Sequence, residues 1–546
     1  MIRLKRTAVL CALITVFLTV GFTVSSQELS ETESAEKLCA LGLFKGTDNG
    51  FELEKSADRS QMLVMLLRLL GEENAALSFE EQNPFSDRCW ADSCIAYGYK
   101  KGLVNGVGNG LFGSFDTASV RQYCTMLLRA IGYGQEENLY ENAPEIASCV
   151  LLCDIPDGDG VLTRGNMAYL SYRALGSKLY GSDRTLASKL IEEGTVSEKD
   201  YAGTLEKYGS ATVMIYMIAS DLESERSMAT KDISEMLAAD SNEKLNVLVQ
   251  SGGTKVWNND FLSDGAVERF EVKDGKANVL GKVENAQMCD SQTLCDFLTW
   301  GKEYAPADRY ILVFWDHGMG TVGGFGKDKV SERAPMRLYE IKEGIEKAGI
   351  WFSVIGFDAC LMATAESAFA LKDCAGLLVS SEDITSYEGW HYTTFLNALS
   401  RNLSVPDMAL SKLISDSHIM FSKSLTSNIS VINLDGAEVL YGQLEKMGNG
   451  FLSRLVLDEQ ALGSFDGGYD QFDLAFLLRK APDAKYALYA AQNMVIYSKN
   501  SSQKHDCFGI AIYIPQKRLG EYAAVKEDLT RCGYKKEYFN LFTAEA

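Results

Sequence analysis

Two apolar runs between residues 310 and 364 limit this chain more than anything else in it. YILVFW at 310–315 and SVIGF at 353–357 both read as β-strands, and each stops at a reactive residue. The first delivers Asp316-His317-Gly318 and the second Asp358-Ala359-Cys360. A continuous apolar run closed by Gly or Asp is how a parallel strand buried on both faces reads. In an open parallel sheet, chemistry gathers beyond the carboxyl ends of the strands. His317 and Cys360 are therefore expected side by side at one sheet edge. A thiolate near an imidazole is an activated nucleophile. A lone strand-end Cys is more often a small buried hydrophobe. The pairing with one of only four His in the chain favours chemistry.

Further strand-like runs lie at 211–219, 244–250, 376–381 and 508–515, alternating with helical patterns. LMATAESAFALK, directly after Cys360, reads as one of those helices. Such alternation predicts an α/β domain, a parallel-rich sheet with helices on both faces. Residues 252–290 read as a small antiparallel excursion.

An apolar strand ending in His-Gly, followed by one ending in Asp-Ala-Cys, resembles the clostripain family of cysteine peptidases, relatives of the caspases. ATVMIYMIASDLE at 211–223 resembles that family's opening strand and acidic turn. SSEDITSYEGWHY at 380–392 resembles its segment after the catalytic strand, and FDLAFLL at 472–478 and FGIAIYIP at 508–515 its late helix and last strand. The likeness spans about 211–540 and implies a caspase-like α/β/α sandwich over 209–546. Peptides or proteins are then the substrates, hydrolysed through a thioester. Cys360 attacks the carbonyl, and His317 protonates the departing amine and later activates water. The backbone N–H groups of Gly318 and Cys360 are the expected oxyanion donors. His391, in GWHY, lacks the His-Gly context of a base, and His418 and His505 read as structural. No GxSxG elbow supports a serine hydrolase.

Asp358 lies two positions before Cys360, and residues i and i+2 of a strand share a face. A carboxylate there favours Arg or Lys in the first specificity pocket. The resemblance implies the same role, with a second acid from the loop after the next strand, for which Glu382 and Asp383 are the candidates. Asp358 as the cap of a helix opening at Cys360 is the simpler alternative. Between the two motifs, 318–338 is Gly-rich and then carries Lys327, Lys329, Arg333 and Arg337. An exposed loop tip of this kind attracts nicking. The family resemblance implies processing between the catalytic His and Cys, so these four are the expected autoprocessing sites.

The N-terminal half reads differently. MIRLKR, an apolar run and small residues near Ser26 predict a secretory signal over 1–26. Cys11 is not in a lipoprotein context. Residues 28–180 repeat a unit: a Gly-rich turn, an Arg, then an amphipathic helix ending at Gly71, Gly132 or Gly176. Fixed-unit similarity predicts stacked helical hairpins. The pattern resembles the S-layer homology repeat, which implies an all-α module binding anionic cell-wall polysaccharide. Asp87, Trp90 and Arg121 match that motif best. A module that merely spaces the enzyme from the surface is the plainer alternative. Residues 181–208 read as a linker, polar and helical in tone, and DGDG at 157–160 as a turn.

The formal charge of −21 argues against nucleic acid and against an anionic membrane surface. No membrane contact is expected beyond the signal. Four His and no CxxC pair argue against zinc. No metal or other cofactor is required; calcium is left open. Cys89 with Cys94, or Cys149 with Cys153, have spacings open to pairing or to buried thiols. Taken together, these readings describe a secreted, wall-associated cysteine endopeptidase. The alternative is a non-catalytic surface or adhesion protein on a peptidase-like fold, which retention of both His317 and Cys360 disfavours.

Overall fold

The computed structural model describes residues 29–448, 450–456, 468–504 and 507–542. The expected signal with Cys11, and His505, lie outside the described residues.

The N-terminal region is built from α1 (Glu31–Ala40), α2 (Arg59–Leu69), α3 (Asp92–Lys100), α4 (Val120–Ala130), α5 (Leu139–Leu151) and α6 (Arg164–Gly176). Three of these, α2, α4 and α6, start alike. Asp58, Ser119 and Thr163 accept the N–H of Gln61, Gln122 and Asn166, whose side chains reach back to the cap N–H. These capping boxes satisfy donors that each helix start would otherwise orphan. Isolated bridges Ser56–Thr163, Asp58–Thr117 and Ser119–Val161 tie the three starts together. The middle copy differs by one position in where its Arg falls. Arg59 and Arg164 occupy the first helical position, and the middle copy places Val120 there, with Arg121 one residue later.

The stretch 181–208 is helical in part, as its sequence suggests. It forms two short helices, Leu186–Glu192 and Glu198–Gly203, with Leu186 and Leu190 fully buried. An i, i+4 pair of leucines suffices to dock one helical face.

The C-terminal region is a nine-stranded sheet. Its strands are β1 (Ala211–Ile218), β2 (Leu245–Gly252), β3 (Glu268–Lys273), β4 (Lys276–Lys282), β5 (Arg309–Trp315), β6 (Phe352–Asp358), β7 (Ala375–Ser380), β8 (Asn428–Asn433) and β10 (Val495–Asn500), in the order β10-β8-β7-β6-β5-β1-β2-β3-β4. Strands β2, β1, β5, β6 and β7 run parallel. The β3–β4 hairpin is the antiparallel excursion expected in 252–290. On β1, Met214, Tyr216 and Ile218 enter one apolar core, and Val213, Ile215 and Met217 enter another. Alternate side chains thus feed two buried layers, the arrangement of a sheet covered on both faces.

The run at 508–515 does not join this sheet. Within it, β11 (Ala511–Tyr513) pairs with β9 (Gln471–Asp473) in a separate two-stranded sheet. Antiparallel β8 and β10 occupy the large sheet's edge instead. The helix after β6 also starts later than its sequence suggests. It spans Ala365–Leu371 and is capped by Thr364, so Cys360 lies in a bend and Asp358 caps nothing.

Three more helices matter below: α7 (Met228–Leu237), α8 (Asp407–Phe421) and α9 (Lys485–Met494). α9 packs on α5. Around that contact the Tyr133 and Tyr489 rings meet edge to face at 5.1 Å, and Arg173 pairs with Asp435 at 2.9 Å. Lys485 with Glu136, and Lys446 with Glu145, add ion pairs. The helical repeats are thereby seated on the sheet domain rather than held away from it.

Candidate active site

The register of the sheet brings the two motifs together. Trp315 of β5 pairs with Asp358 of β6. His317 and Cys360, each two residues further on, therefore leave the same edge at the same level. A Cβ on Gly318 would stand 1.9 Å from the Cys360 carbonyl oxygen. No Cβ can approach backbone that closely, so this crossing of the two chains needs glycine.

Cys360 is half-buried. Its sulfur accepts the Thr385 N–H at 3.3 Å and lies 3.8 Å from the Thr385 carbonyl oxygen. Burial pushes the thiol up, and nearby Asp383 and Asp358 add to this. The Thr385 N–H and the ammonium of Lys327 act in the opposite direction. His317 is held below its ordinary range by burial and by Lys327, with Asp221 partly offsetting both. Its Nε2 lies 3.4 Å from Asp221 Oδ2 and is buried with no hydrogen bond. A neutral imidazole with a free nitrogen is ready to take up a proton. Among the described residues no hydrogen bond joins His317 to Cys360. Asp316, buried beneath, accepts the Ser220 hydroxyl at 2.6 Å and the Lys327 N–H at 2.5 Å. Burial pushes its carboxyl up to about 8.

Asp358 is buried beside the nucleophile. Its Oδ2 accepts the Trp390 N–H at 3.0 Å and the Tyr392 hydroxyl at 3.1 Å. Glu382 and Asp383 do not share its surroundings. Glu382 turns inward, accepts the Gly509 N–H and faces Asp473. Asp383 is ion-paired with Lys504. The carboxylate placed beside Asp358 is Asp232 of α7, which sequence reasoning missed. A Cβ on Gly389 would meet Asp232 Oδ2 at 2.8 Å and Asp358 Oδ2 at 2.9 Å. Asp232 Oδ2 accepts the Trp315 indole N–H at 2.8 Å, while its Oδ1 is fully buried without a partner. Burial raises both carboxyls; the charge of Asp358 adds to the rise at Asp232, and that of Glu235 to the rise at Asp358.

The loop between the motifs is mostly folded. Phe325 bridges to Gly318 on one side and to Met336 on the other, and both Phe325 and Met336 are fully buried. Exposure is confined to Lys329 through Ala334, apart from the half-buried Ser331. Lys327 is half-buried beside the catalytic groups, and Arg337 is tied to Asp528 and to the Val322 carbonyl. Of the four expected processing sites, Lys329 and Arg333 alone are exposed. They pair with Asp221 and with Asp290.

The remaining candidates are engaged elsewhere. His391 hydrogen-bonds Thr394 at 2.7 Å and stacks on Phe421 at 3.9 Å. Among the repeats, Asp87 accepts the N–H groups of Phe112, Gly113 and Ser114. Those bonds outweigh burial and bring its carboxyl to about 2. Arg121 holds Asp159 and the Glu141 carbonyl. Trp90 is 60% exposed. None of the described cysteines is disulfide-bonded. Among the described residues no helix is long and apolar enough to cross a membrane.

The chain is 29% identical over 163 residues to a cell surface protein of Thermoanaerobacter kivui, covering 29% of this chain and 21% of that one. It is 27% identical over 287 residues to a clostripain of Hathewaya histolytica, covering 47% and 49%. The chain thus spans about a fifth and about half the length of these curated relatives. An inactive zymogen of a C11 protease from Parabacteroides distasonis shares the fold at a TM-score of 0.50 and 20% identity, covering 62% of this chain and all of that one. The model of the clostripain family of peptidases matches residues 215–509, more than half of the chain. The chain belongs to the clostripain family of cysteine peptidases.

Proposed function

We propose that this chain is an exported cysteine endopeptidase that cleaves peptide bonds after Arg or Lys and is held at the cell wall. The observation that carries the reading is the Trp315–Asp358 register, which sets His317 and Cys360 at one sheet edge. The thiol proton passes to His317 as Cys360 attacks the scissile carbonyl. His317 then gives that proton to the departing amine, leaving a thioester. Water, deprotonated by His317, releases the acid and restores the thiol. The backbone N–H groups of Gly318 and Cys360 are the proposed oxyanion donors. A basic side chain entering beside Asp358 and Asp232 would favour release to solvent of a proton that burial holds on the pair, and the carboxylate left would hold the cation. Calcium stays a candidate addition without a residue to assign it to.

Export rests on the basic and apolar leader. Wall attachment rests on the repeats and on Trp90, since Asp87 and Arg121 are spent within the fold. The likeness to a cell surface protein is in keeping with both. Two experiments test the proposal. A positional scan of fluorogenic peptides should show hydrolysis confined to Arg and Lys at the first position; a preference for Asp or Leu would refute that specificity. The full-length protein should pellet with Gram-positive walls and lose this when the wall polysaccharide is stripped or Trp90→Ala is introduced. Equal pelleting in all arms would favour a purely structural module.

A further inference from the structure

Segment 384–389 passes over Cys360 between β7 and the helix Tyr392–Arg401. One end supplies the Thr385 N–H to the sulfur, at 3.3 Å. The other end places Gly389 against Asp358 and Asp232. Between them Ser386 is half-buried and donates its N–H to the Ser427 hydroxyl at 3.0 Å, Tyr387 is 55% exposed and Glu388 is buried. A loop segment of this kind, outside helix and strand, keeps its shape through specific bonds to rigid neighbours.

His418 of α8 makes the bonds to both ends. It is 1% exposed. Its Nε2 lies 2.9 Å from Thr385 Oγ1 and its Nδ1 lies 2.9 Å from the Gly389 carbonyl oxygen. A carbonyl only accepts, so Nδ1 carries the hydrogen. Nε2 of the neutral ring then accepts from the Thr385 hydroxyl. Burial keeps the ring neutral; the Gly389 bond and the Glu388 carboxylate pull the other way and are weaker. Glu388 itself is held by Lys423 and by the Ser386 hydroxyl. The catalytic reaction as derived above makes no use of this ring.

We propose that His418 is a positioning residue whose ring clamps both ends of segment 385–389, fixing the Thr385 N–H against the Cys360 sulfur and Gly389 against the two carboxylates. The claim about the carboxylates rests on the specificity proposed above; the claim about the sulfur does not. An N–H aimed at sulfur stabilises the thiolate over the thiol. Removing the clamp frees that N–H to turn away, and thiolate then forms at higher pH. The other charges around the sulfur, Asp383, Asp358 and Lys327, stay in place. Gln is the conservative replacement, since its amide offers one donor and one acceptor from a single side chain.

The test is the pH profile of Cys360 alkylation by iodoacetamide in the full chain, a readout needing no peptide turnover. His418→Leu and Thr385→Val should each move the midpoint up by about one pH unit, a roughly tenfold slower reaction at neutral pH. His418→Gln should restore most of the rate. Thr385→Val changes a half-buried loop position and decides the matter alone if His418→Leu does not fold. Wild-type midpoints in both variants would overturn the proposal. Shifted midpoints in a protein that hydrolyses no peptide would sustain the clamp and refute the peptidase reading instead.

Discussion

Gly318 lies against Cys360 so closely that the smallest side chain would stand 1.9 Å from the Cys360 carbonyl oxygen. The segments carrying His317 and Cys360 are thus held by direct backbone contact just beyond the ends of β5 and β6, and among the described residues no hydrogen bond joins the two side chains. Gly318→Ala must push the two strand ends apart. A displacement of about 1 Å at reacting groups costs on the order of a hundredfold in rate. The expected outcome is a folded protein with kcat/KM lowered by about that factor, measured on an Arg fluorogenic peptide. Near-normal activity would mean that the crossing is not as tight as described.

Cysteine chemistry makes a second distinction. Cys374 is buried after the helix Ala365–Leu371, and its thiol is pushed up to about 12 by burial. Cys374→Ala should therefore keep most of the activity and leave iodoacetamide inactivation intact. Loss of inactivation in that variant would point to the wrong sulfur.

The specificity carboxylates predict a charge-selective loss. Asp358→Asn should lower kcat/KM for Arg peptides by at least about 30-fold, the low end for stripping one partner from a desolvated charge pair. Neutral peptides should change little. Asp232→Asn should act in the same direction. Equal loss for Arg and neutral peptides would make these groups structural.

Lys327 gives a pH dependence with a definite sign. Its ammonium lowers both the Cys360 thiol and the His317 imidazole. In Lys327→Met both should rise, and the alkylation profile of Cys360 should move alkaline by about half a pH unit. An unchanged or acid-shifted profile would remove Lys327 from the site's electrostatics.

Self-processing is expected in the exposed stretch holding Lys329 and Arg333. Purified wild type should show two fragments on a gel, with N-terminal sequencing placing the cut after one of these residues. Cys360→Ala should stay whole. A wild type fully active and uncut would show that cleavage is not required.

The catalytic strands are legible in the sequence because burial on both faces forces uninterrupted apolar runs, which end where chemistry begins. The edge strand β10 and its neighbour β8 are not, since NISVIN and VIYSKN mix polar and apolar residues. Asp232 is hidden for another reason. It reads as an ordinary acid on an amphipathic helix, and only the packing of α7 brings it to Asp358. Glu382 and Asp383 sit where the family resemblance implies an acid, yet Gly509 and Lys504 claim them. Spacing along the chain fixes which residues are near a strand end, and not which way the following loop turns them.

The most direct test of the account is hydrolysis of an Arg fluorogenic peptide by wild type, His317→Ala and Cys360→Ala, purified identically and matched by circular dichroism. The account predicts turnover in wild type and none above background in either variant, with the Cys360→Ala protein also refusing a thiol-directed affinity label. Turnover surviving in Cys360→Ala would contradict it.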